Sequence, residues 1–311
     1  MDKLTKSSSL IEFYDRIVRN DPTLTTIDIS KELYKAGVWS CNPKYKMIRG
    51  LLLFSLYKNN NIICVKLDNL LLKDCNLKRL IACDSIKELE LEWNNLGNKS
   101  IVYLSKMKNL ESLRIINSHN IKNLGLYPLI EMNNLRKLCI CIYDNIDFDF
   151  LKYTRIKHLV IHYPYPYHKL VDNTNIIEIS QSKKLKHLKI VGIFTIRMGI
   201  GVYYHNMFAS LHNLRLNLSS LYISMVDRLS EAEVISISKL KYLTRFDIIS
   251  IYSTSIELPK VKKYMIQQML LNYNLRYVYP QNGLFDFSKH VNRNIHNHKI
   301  RITKLFDLLL Q

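Results

Sequence analysis

The chain has 311 residues, 48% of them hydrophobic, and a formal net charge of +19. No stretch approaches the roughly 20 apolar residues of a membrane span. The first residues lack the apolar run of a signal peptide, and the six cysteines form no C-x-x-C pair. We therefore expect a cytoplasmic protein that is not inserted in a membrane.

The positive charge is concentrated in the second half of the chain. Residues 1–150 contain 22 Lys or Arg against 17 Asp or Glu, whereas residues 151–311 contain 23 against 9. A basic surface attracts polyanions over long distances. The abundance of Ile, Lys, Asn and Tyr is also what an AT-rich genome produces. Genome composition and non-specific nucleic-acid binding therefore both remain open as explanations.

The first 60 residues differ from the rest. Helical spacing of Leu10, Phe13 and Ile17 predicts a helix within residues 9–20. A strand-like segment follows at 24–29, and an apolar helix is expected over 43–58. We interpret residues 1–60 as an N-terminal helical cap that includes a first degenerate repeat, because the open end of a repeat array needs covering.

A pattern of the form L-x-x-L-x-L then recurs along the chain. Its copies start at Leu24, Ile62, Ile86, Leu110, Leu135, Ile156, Leu185, Leu218, Leu243 and Leu275. From Ile62 onward the starts are 24, 24, 25, 21, 29, 33, 25 and 32 residues apart. Such self-similarity predicts a solenoid. We expect it to occupy residues 61–288, with a C-terminal helical cap over 289–311.

The clearest repeat begins at Ile86. Alternation predicts that Leu89 and Leu91 point into the core, and that the Asn94 side chain satisfies the turning backbone after the strand. A convex-side helix should then bury Ile101, Leu104 and Met107. Each repeat is therefore expected to be a strand, a loop and a helical stretch.

The segment Leu89–Gly97 resembles the consensus of leucine-rich-repeat proteins, L-x-L-x-x-N-x-L-G. The resemblance implies an α/β solenoid, curved, with a parallel β-sheet on its concave face and helices and loops on its convex face. It also implies protein recognition rather than catalysis. The consensus Asn position is Ser118, Tyr143 and Pro164 in the next three repeats, so the Asn ladder is broken. The composition itself resembles proteins of large AT-rich DNA viruses, poxviruses especially.

The strand residues that alternate away from the core should share the concave face. We predict that a protein partner of unknown identity binds there. The predicted contact residues are Lys66, Glu88, Glu90, Glu92, Arg114, Lys137, His158, His162, His187 and Lys189. The alternative is a solvated sheet face on which opposite charges pair across strands.

Cysteines and histidines also converge on this predicted face. Cys139, Cys141, His158, His162 and His187 have the chemistry of zinc ligands. However, flat neighbouring strands seldom give tetrahedral geometry. We predict no metal site, no cofactor and no catalytic residues, since nucleotide-binding and metalloprotease motifs are also missing from the sequence.

Residues 257–276 carry a second resemblance, to the opening of an F-box, L-P-x-x-[IV]-x-x-x-I-[LI]-x-x-L. The matching residues are Leu258, Pro259, Val261, Ile266 and Leu270. The resemblance implies a substrate receptor that recruits a ubiquitin ligase. The spacing of this segment also fits well with the last convex helix before the Leu275 strand, which is the interpretation we prefer. A basic nucleic-acid-binding repeat protein is the other alternative function.

Overall fold

The computed structural model describes residues 2–37, 45–118, 120–141, 146–164, 173–193, 218–224, 236–237, 239–249, 277–279 and 285–286. The chain divides into two compact units, residues 1–162 and 163–311. Each unit contains a β-sheet whose strands pair in chain order.

Parallel strands form the sheet of the first unit, one strand for each sequence repeat. They are β1 (Thr26–Asp28), β2 (Cys64–Lys66), β3 (Glu88–Glu92), β4 (Ser112–Ile116), β5 (Lys137–Cys141) and β6 (His158–Pro164). Each of β1 to β5 pairs in parallel with the next strand in sequence. This arrangement is an α/β solenoid of the leucine-rich-repeat type, which confirms the predicted fold class.

The second leucine of the L-x-x-L-x-L pattern forms a buried ladder from repeat to repeat. Leu113 pairs with Leu138, and Leu138 pairs with Leu159, so equivalent positions of successive repeats lie side by side. Each is at most 1% exposed, and so is Leu188 in the second unit. The repeat starts between Ile62 and Leu243 are buried as well. Burying each leucine contributes about 1.5–3 kcal/mol, so the ladder is a principal source of stability.

Short helical segments connect the strands of the first unit. They are α4 (Asp74–Leu77), α5 (Asn98–Leu104) and 3₁₀ helices over Lys78–Ala82, Asn123–Glu131 and Asp149–Tyr153. Ile101 and Leu104 are buried on α5 as predicted, and Met107 is buried just after it. Repeats of 21–25 residues leave little chain for the return path. A 3₁₀ helix rises about 2.0 Å per residue against about 1.5 Å for an α-helix, so it covers the same distance with fewer residues.

Asn94 joins two repeats through its side chain, which is buried. Its Oδ1 accepts hydrogen bonds from the backbone N–H groups of Leu70 (3.2 Å) and Leu72 (3.0 Å). Its Nδ2 donates to the carbonyl oxygens of Leu67 (2.7 Å) and Glu92 (3.0 Å). The side chain therefore satisfies backbone groups that turn away from the sheet, as the sequence predicts.

Three helices lie at the N-terminal end: α1 (Asp2–Val18), α2 (Ile29–Lys35) and α3 (Tyr45–Ser55), the last extended by a 3₁₀ turn over Leu56–Lys58. Asp28 ends β1 and caps α2, since its side chain accepts a hydrogen bond from the N–H of Lys31 at 2.9 Å. After α1, Asp21 pairs with Arg16 at 2.6 Å. These polar contacts fix the entry of the chain into the first strand.

The second unit has its own series of strands, described only in part. They are β7 (His187–Ile193), β8 (Ser220–Ser224), β9 (Arg245–Ile249), β10 (Tyr277–Tyr279) and β11 (Phe285–Asp286), with α6 (Asn173–Ser180) preceding β7. Strands β7 to β10 are parallel, and β11 is antiparallel to β10. The F-box-like segment over 257–276 lies outside the described residues, and so does the predicted C-terminal cap over 289–311.

Membrane insertion can be judged for the helices that the structure describes. Among them, none combines the length and the apolar character needed to cross a bilayer.

Candidate functional site on the outward face of the first unit

The side chains that point away from the core on strands β1 to β6 form one surface, which we call the outward face. Cross-strand register arranges it in rows. One row runs Asp28, Lys66, Glu90, Arg114, Cys139 and Val160, and the neighbouring row runs Thr26, Cys64, Glu88, Ser112, Lys137 and His158. His162 lies beside Cys141. The eight predicted contact residues of the first unit thus lie on one sheet.

Some charges on the outward face pair across strands. Lys66 Nζ lies 3.0 Å from the Glu90 carboxylate, and this hydrogen bond raises the pKa of Lys66. The Arg114 guanidinium pairs with the Glu92 carboxylate. Part-exposed pairs of this kind contribute about 0–1 kcal/mol. The structure therefore shows the cross-strand pairing of the alternative interpretation for these two pairs, and their use in partner binding stays a prediction.

Carboxylates outnumber cations on the first three strands. With Asp68, two residues after the end of β2, the acidic residues are Asp28, Asp68, Glu88, Glu90 and Glu92, against Lys66 alone. Burial raises the pKa of Asp68, and the carboxylates of Glu92, Glu90 and Asp28 raise it further. This end of the outward face is negative although the whole chain is strongly positive.

The middle of the outward face is apolar and closely packed. Ile116, Cys139 and Cys141 are at most 8% exposed and form a cluster against which Val160 packs. Arg114 adds cover, because its Nη1 lies 3.2 Å from Cys139 Sγ. The two cysteines lie on the outward face, as alternation predicts, but neighbouring side chains cover them. Neighbouring side chains about 4.8 Å apart shield one another on a sheet.

Metal ligands can be judged among the residues that the structure describes. No group of three or more His, Cys, Asp or Glu side chains there is arranged to hold a metal ion.

Trp93 is a surface residue that sequence reasoning missed. It follows β3, its side chain is 61% exposed, and its φ is +53°. The equivalent residues of the adjacent repeats, Asn69 and Asn117, have φ of +52° and +58°. Asn tolerates the left-handed region, whereas a bulky side chain there is a rare outlier. Aligning the repeats one position beyond the strand would have revealed a tryptophan where its neighbours have asparagine.

The backbone explains why Trp93 keeps this conformation. Its N–H donates to the carbonyl oxygen of Ile116 at 2.9 Å, and the N–H of Asn69 donates in the same way to Glu92 at 2.7 Å. The repeat architecture thus imposes a left-handed residue at the end of each of these strands. The consequence is a large aromatic ring held next to the Glu92 end of the outward face.

The two remaining predicted contact residues, His187 and Lys189, belong to the second unit. Lys189 pairs in register with Tyr222, and its Nζ lies 4.3 Å from the centre of the Tyr222 ring. Such a cation–π contact stabilises by about 0.5–1 kcal/mol at an exposed site. Burial and the neighbouring Lys186 lower the pKa of His187. Their role in binding also stays a prediction.

Comparison with known proteins finds similarity only to solved structures. No protein-family model and no curated protein matches the chain. Similar solved structures include the tropomodulin C-terminal domain of Caenorhabditis elegans, at 14% identity and a TM-score of 0.32, covering 42% of this chain and 81% of that one. A TLR13–ssRNA13 complex matches at 19% identity and a TM-score of 0.40, covering 68% of this chain and 31% of that one. An internalin of Listeria monocytogenes matches at 16% identity and a TM-score of 0.31, covering 73% and 75%. TLR13 and internalin are leucine-rich-repeat proteins.

Proposed function

We propose that this protein is a non-enzymatic scaffold that binds a protein partner on the outward face of its first unit. The observation that carries the proposal is Trp93, an exposed indole held in a conformation that costs stability. Tryptophan is enriched among the residues that dominate binding energy at protein interfaces. A bulky residue in the left-handed region costs on the order of 1 kcal/mol, so its presence there is better explained by contact with a partner than by folding.

The charges beside Trp93 define the chemistry of the partner. Lys66 and Arg114 pair with Glu90 and Glu92, which leaves the carboxylates of Asp28, Asp68 and Glu88 at this end of the outward face. This excess of negative charge favours a partner surface that contributes Lys or Arg. Lysine and arginine side chains can also stack on an indole ring. The partner contact is therefore expected to be a basic protein segment rather than a polyanion.

The proposal places the protein in the cytoplasm, where the thiols of Cys64 and Cys75 would stay reduced. If the gene is viral, as the composition suggests, the partner is a host protein. On the described residues, no observation favours adaptor recruitment or nucleic-acid binding. The negative end of the outward face opposes nucleic-acid binding at that surface.

Quantitative affinity capture from cells tests the proposal with two variants of the outward face. Trp93→Ala removes the anchor. Glu88→Lys reverses a charge whose register neighbours, Cys64 and Ser112, are uncharged. Charge reversal at Glu90 would mix effects on folding with effects on binding. Glu90 lies between Lys66 and Arg114 in the register, and both would repel a new cation there.

Tyr153→Ala is the matched control, because Tyr153 is an aromatic residue of similar exposure (60%) on a connecting 3₁₀ helix. Partner proteins should be retained by the parent and the control, and depleted about tenfold by Trp93→Ala, as expected for loss of an interface anchor. Glu88→Lys should deplete the same proteins. Equal retention by all four proteins would place the footprint elsewhere and refute the proposal.

A further inference from the structure

Helix α3 is apolar on two opposite sides. One side faces the core through Leu52 and Leu53, each at most 2% exposed. The other side presents Met47 (59% exposed), Leu51 (49%) and Phe54 (51%). Positions i, i+4 and i+7 lie on one side of a helix, and the outer side of a surface helix is normally polar. These three residues, which we call the α3 stripe, leave an apolar row about 10 Å long on the surface.

Neighbouring side chains extend and orient the α3 stripe. Tyr57 is 40% exposed, and its ring meets that of Phe54 edge to face at a centroid distance of 5.2 Å. The guanidinium carbon of Arg79 lies 6.0 Å from the centre of the Phe54 ring, and Arg79 Nη1 lies 3.4 Å from the carbonyl oxygen of Gly50. The aromatic end of the stripe is therefore held in place before any partner arrives.

The surroundings of the α3 stripe are positively charged. Lys46, Lys58 and Arg79 are exposed beside it. The sequence contains no Asp or Glu from residue 33 to residue 67. An apolar row with these cations beside it is complementary to a surface that combines apolar anchors with carboxylates.

We propose that the α3 stripe is a second docking surface, which binds an acidic amphipathic helix of another protein. Two helices pack through rows of side chains at this spacing, so the stripe matches the i, i+4 and i+7 anchors of a partner helix. The exposed guanidinium of Arg79 supplies hydrogen-bond donors for a carboxylate at its edge. A second copy of this chain fits poorly, because a symmetric contact would place Lys46, Lys58 and Arg79 against the same cations.

A bilayer also fits less well than a helix. The buried side of α3 fixes its orientation, and the apolar residues that α3 exposes form a single row. Membrane-surface helices instead bury a broad apolar face in the interface. The proposal is independent of the function proposed for the outward face, since α3 lies outside strands β1 to β6.

Two synthetic helical peptides test the proposal by fluorescence anisotropy. Both have leucines at i, i+4 and i+7, and they differ only in having Glu or Lys on the flanks. The Glu peptide should bind the parent saturably and the Lys peptide should not. Leu51→Ser and Arg79→Glu should each weaken binding of the Glu peptide by about tenfold. Val102→Ser is the matched control, since Val102 is 44% exposed on α5, and it should bind like the parent.

Melting curves of these variants should overlay that of the parent, because each replaces an exposed side chain. Trp93→Ala should leave peptide binding unchanged, so failure of one proposal can be told from failure of the other. Absence of Glu-peptide binding, equal binding of both peptides, or unaffected binding in both variants would overturn the proposal. Co-sedimentation of the parent, but not of Leu51→Ser, with phosphatidylserine-containing vesicles would assign the stripe to a membrane instead. Self-association abolished by Leu51→Ser would assign it to a second copy.

Discussion

Replacing Asn94 by alanine should be among the most destabilising single changes in the first unit. The substitution removes hydrogen bonds to the N–H groups of Leu70 and Leu72 and to the carbonyl oxygens of Leu67 and Glu92. The site is only 4% exposed, so water replaces these partners poorly. A buried polar group left unpaired costs about 1–3 kcal/mol. With partial relaxation of the four groups, we expect a loss of about 3–5 kcal/mol.

Ser118 provides an internal comparison, since it occupies the equivalent position of the next repeat. The Ser118 hydroxyl donates a long hydrogen bond, 3.3 Å, to the carbonyl oxygen of Asn94. Ser118→Ala should therefore cost no more than about 1 kcal/mol. Asn94→Asp distinguishes the hydrogen bonds that Asn94 accepts from those that it donates. The aspartate keeps an oxygen that can accept from Leu70 and Leu72. It replaces the donor to the carbonyl oxygens of Leu67 and Glu92 with a second acceptor.

Urea denaturation monitored by circular dichroism measures these differences as shifts of the midpoint at constant slope. Asn94→Asp should be destabilised at neutral pH, and the loss should shrink in acid as the buried carboxylate becomes protonated. If Asn94→Ala shifts the midpoint no further than Ser118→Ala does, the side chain does not hold the two repeats together.

Three further predictions concern the core and two carboxylates. Leu138→Ala should lower the unfolding free energy by about 2–5 kcal/mol, and a denaturation curve that overlays the parent's would contradict the repeat register. Hydrogen bonds from Thr23, followed by that from Arg16, lower the pKa of Asp21 from 3.8 to about 2. Asp21→Asn should therefore be less stable than the parent at pH 7, with a difference that disappears as pH falls toward 2; a pH-independent difference would exclude this linkage. Burial, followed by nearby carboxylates, raises the pKa of Asp68, so its ionised form opposes folding. Asp68→Asn keeps an acceptor for the backbone N–H of Glu92, so the variant should be more stable than the parent at pH 7. In acid, where the parent's carboxyl is protonated, this advantage should disappear. Thermal melts of both proteins from acid to pH 7 measure the difference.

The regular features of the fold could be predicted because each repeat pairs only with its neighbours. Leu113, Leu138 and Leu159 occupy the same place in a short pattern, so aligning the patterns also aligns the strands. The hydrogen-bonding role of Asn94 followed from its place after the strand. Local sequence determines register in such an array, since few distant segments compete for the same contacts.

Exposure could not be predicted in the same way. Alternation gives the direction of Cys139 and Cys141 but not the cover that neighbouring side chains provide on the outward face. The sequence predicts an apolar helix over 43–58, which is α3, yet Leu51 and Phe54 of this helix are about half exposed. Hydrophobic periodicity identifies residues that avoid water, and it does not distinguish those covered by the fold from those available to a partner.

Trp93 allows this distinction to be tested, because stability and binding should respond in opposite directions. Asn69 and Asn117 adopt the same left-handed conformation in the adjacent repeats. Trp93→Asn should therefore raise the unfolding free energy by about 0.5–1 kcal/mol, the gain expected when a residue suited to the backbone conformation replaces a strained one. The same variant should lose partner capture, as Trp93→Ala does. A loss of stability in Trp93→Asn would mean that the indole packs usefully on its own fold, and the main argument for the outward face as a binding surface would then fail.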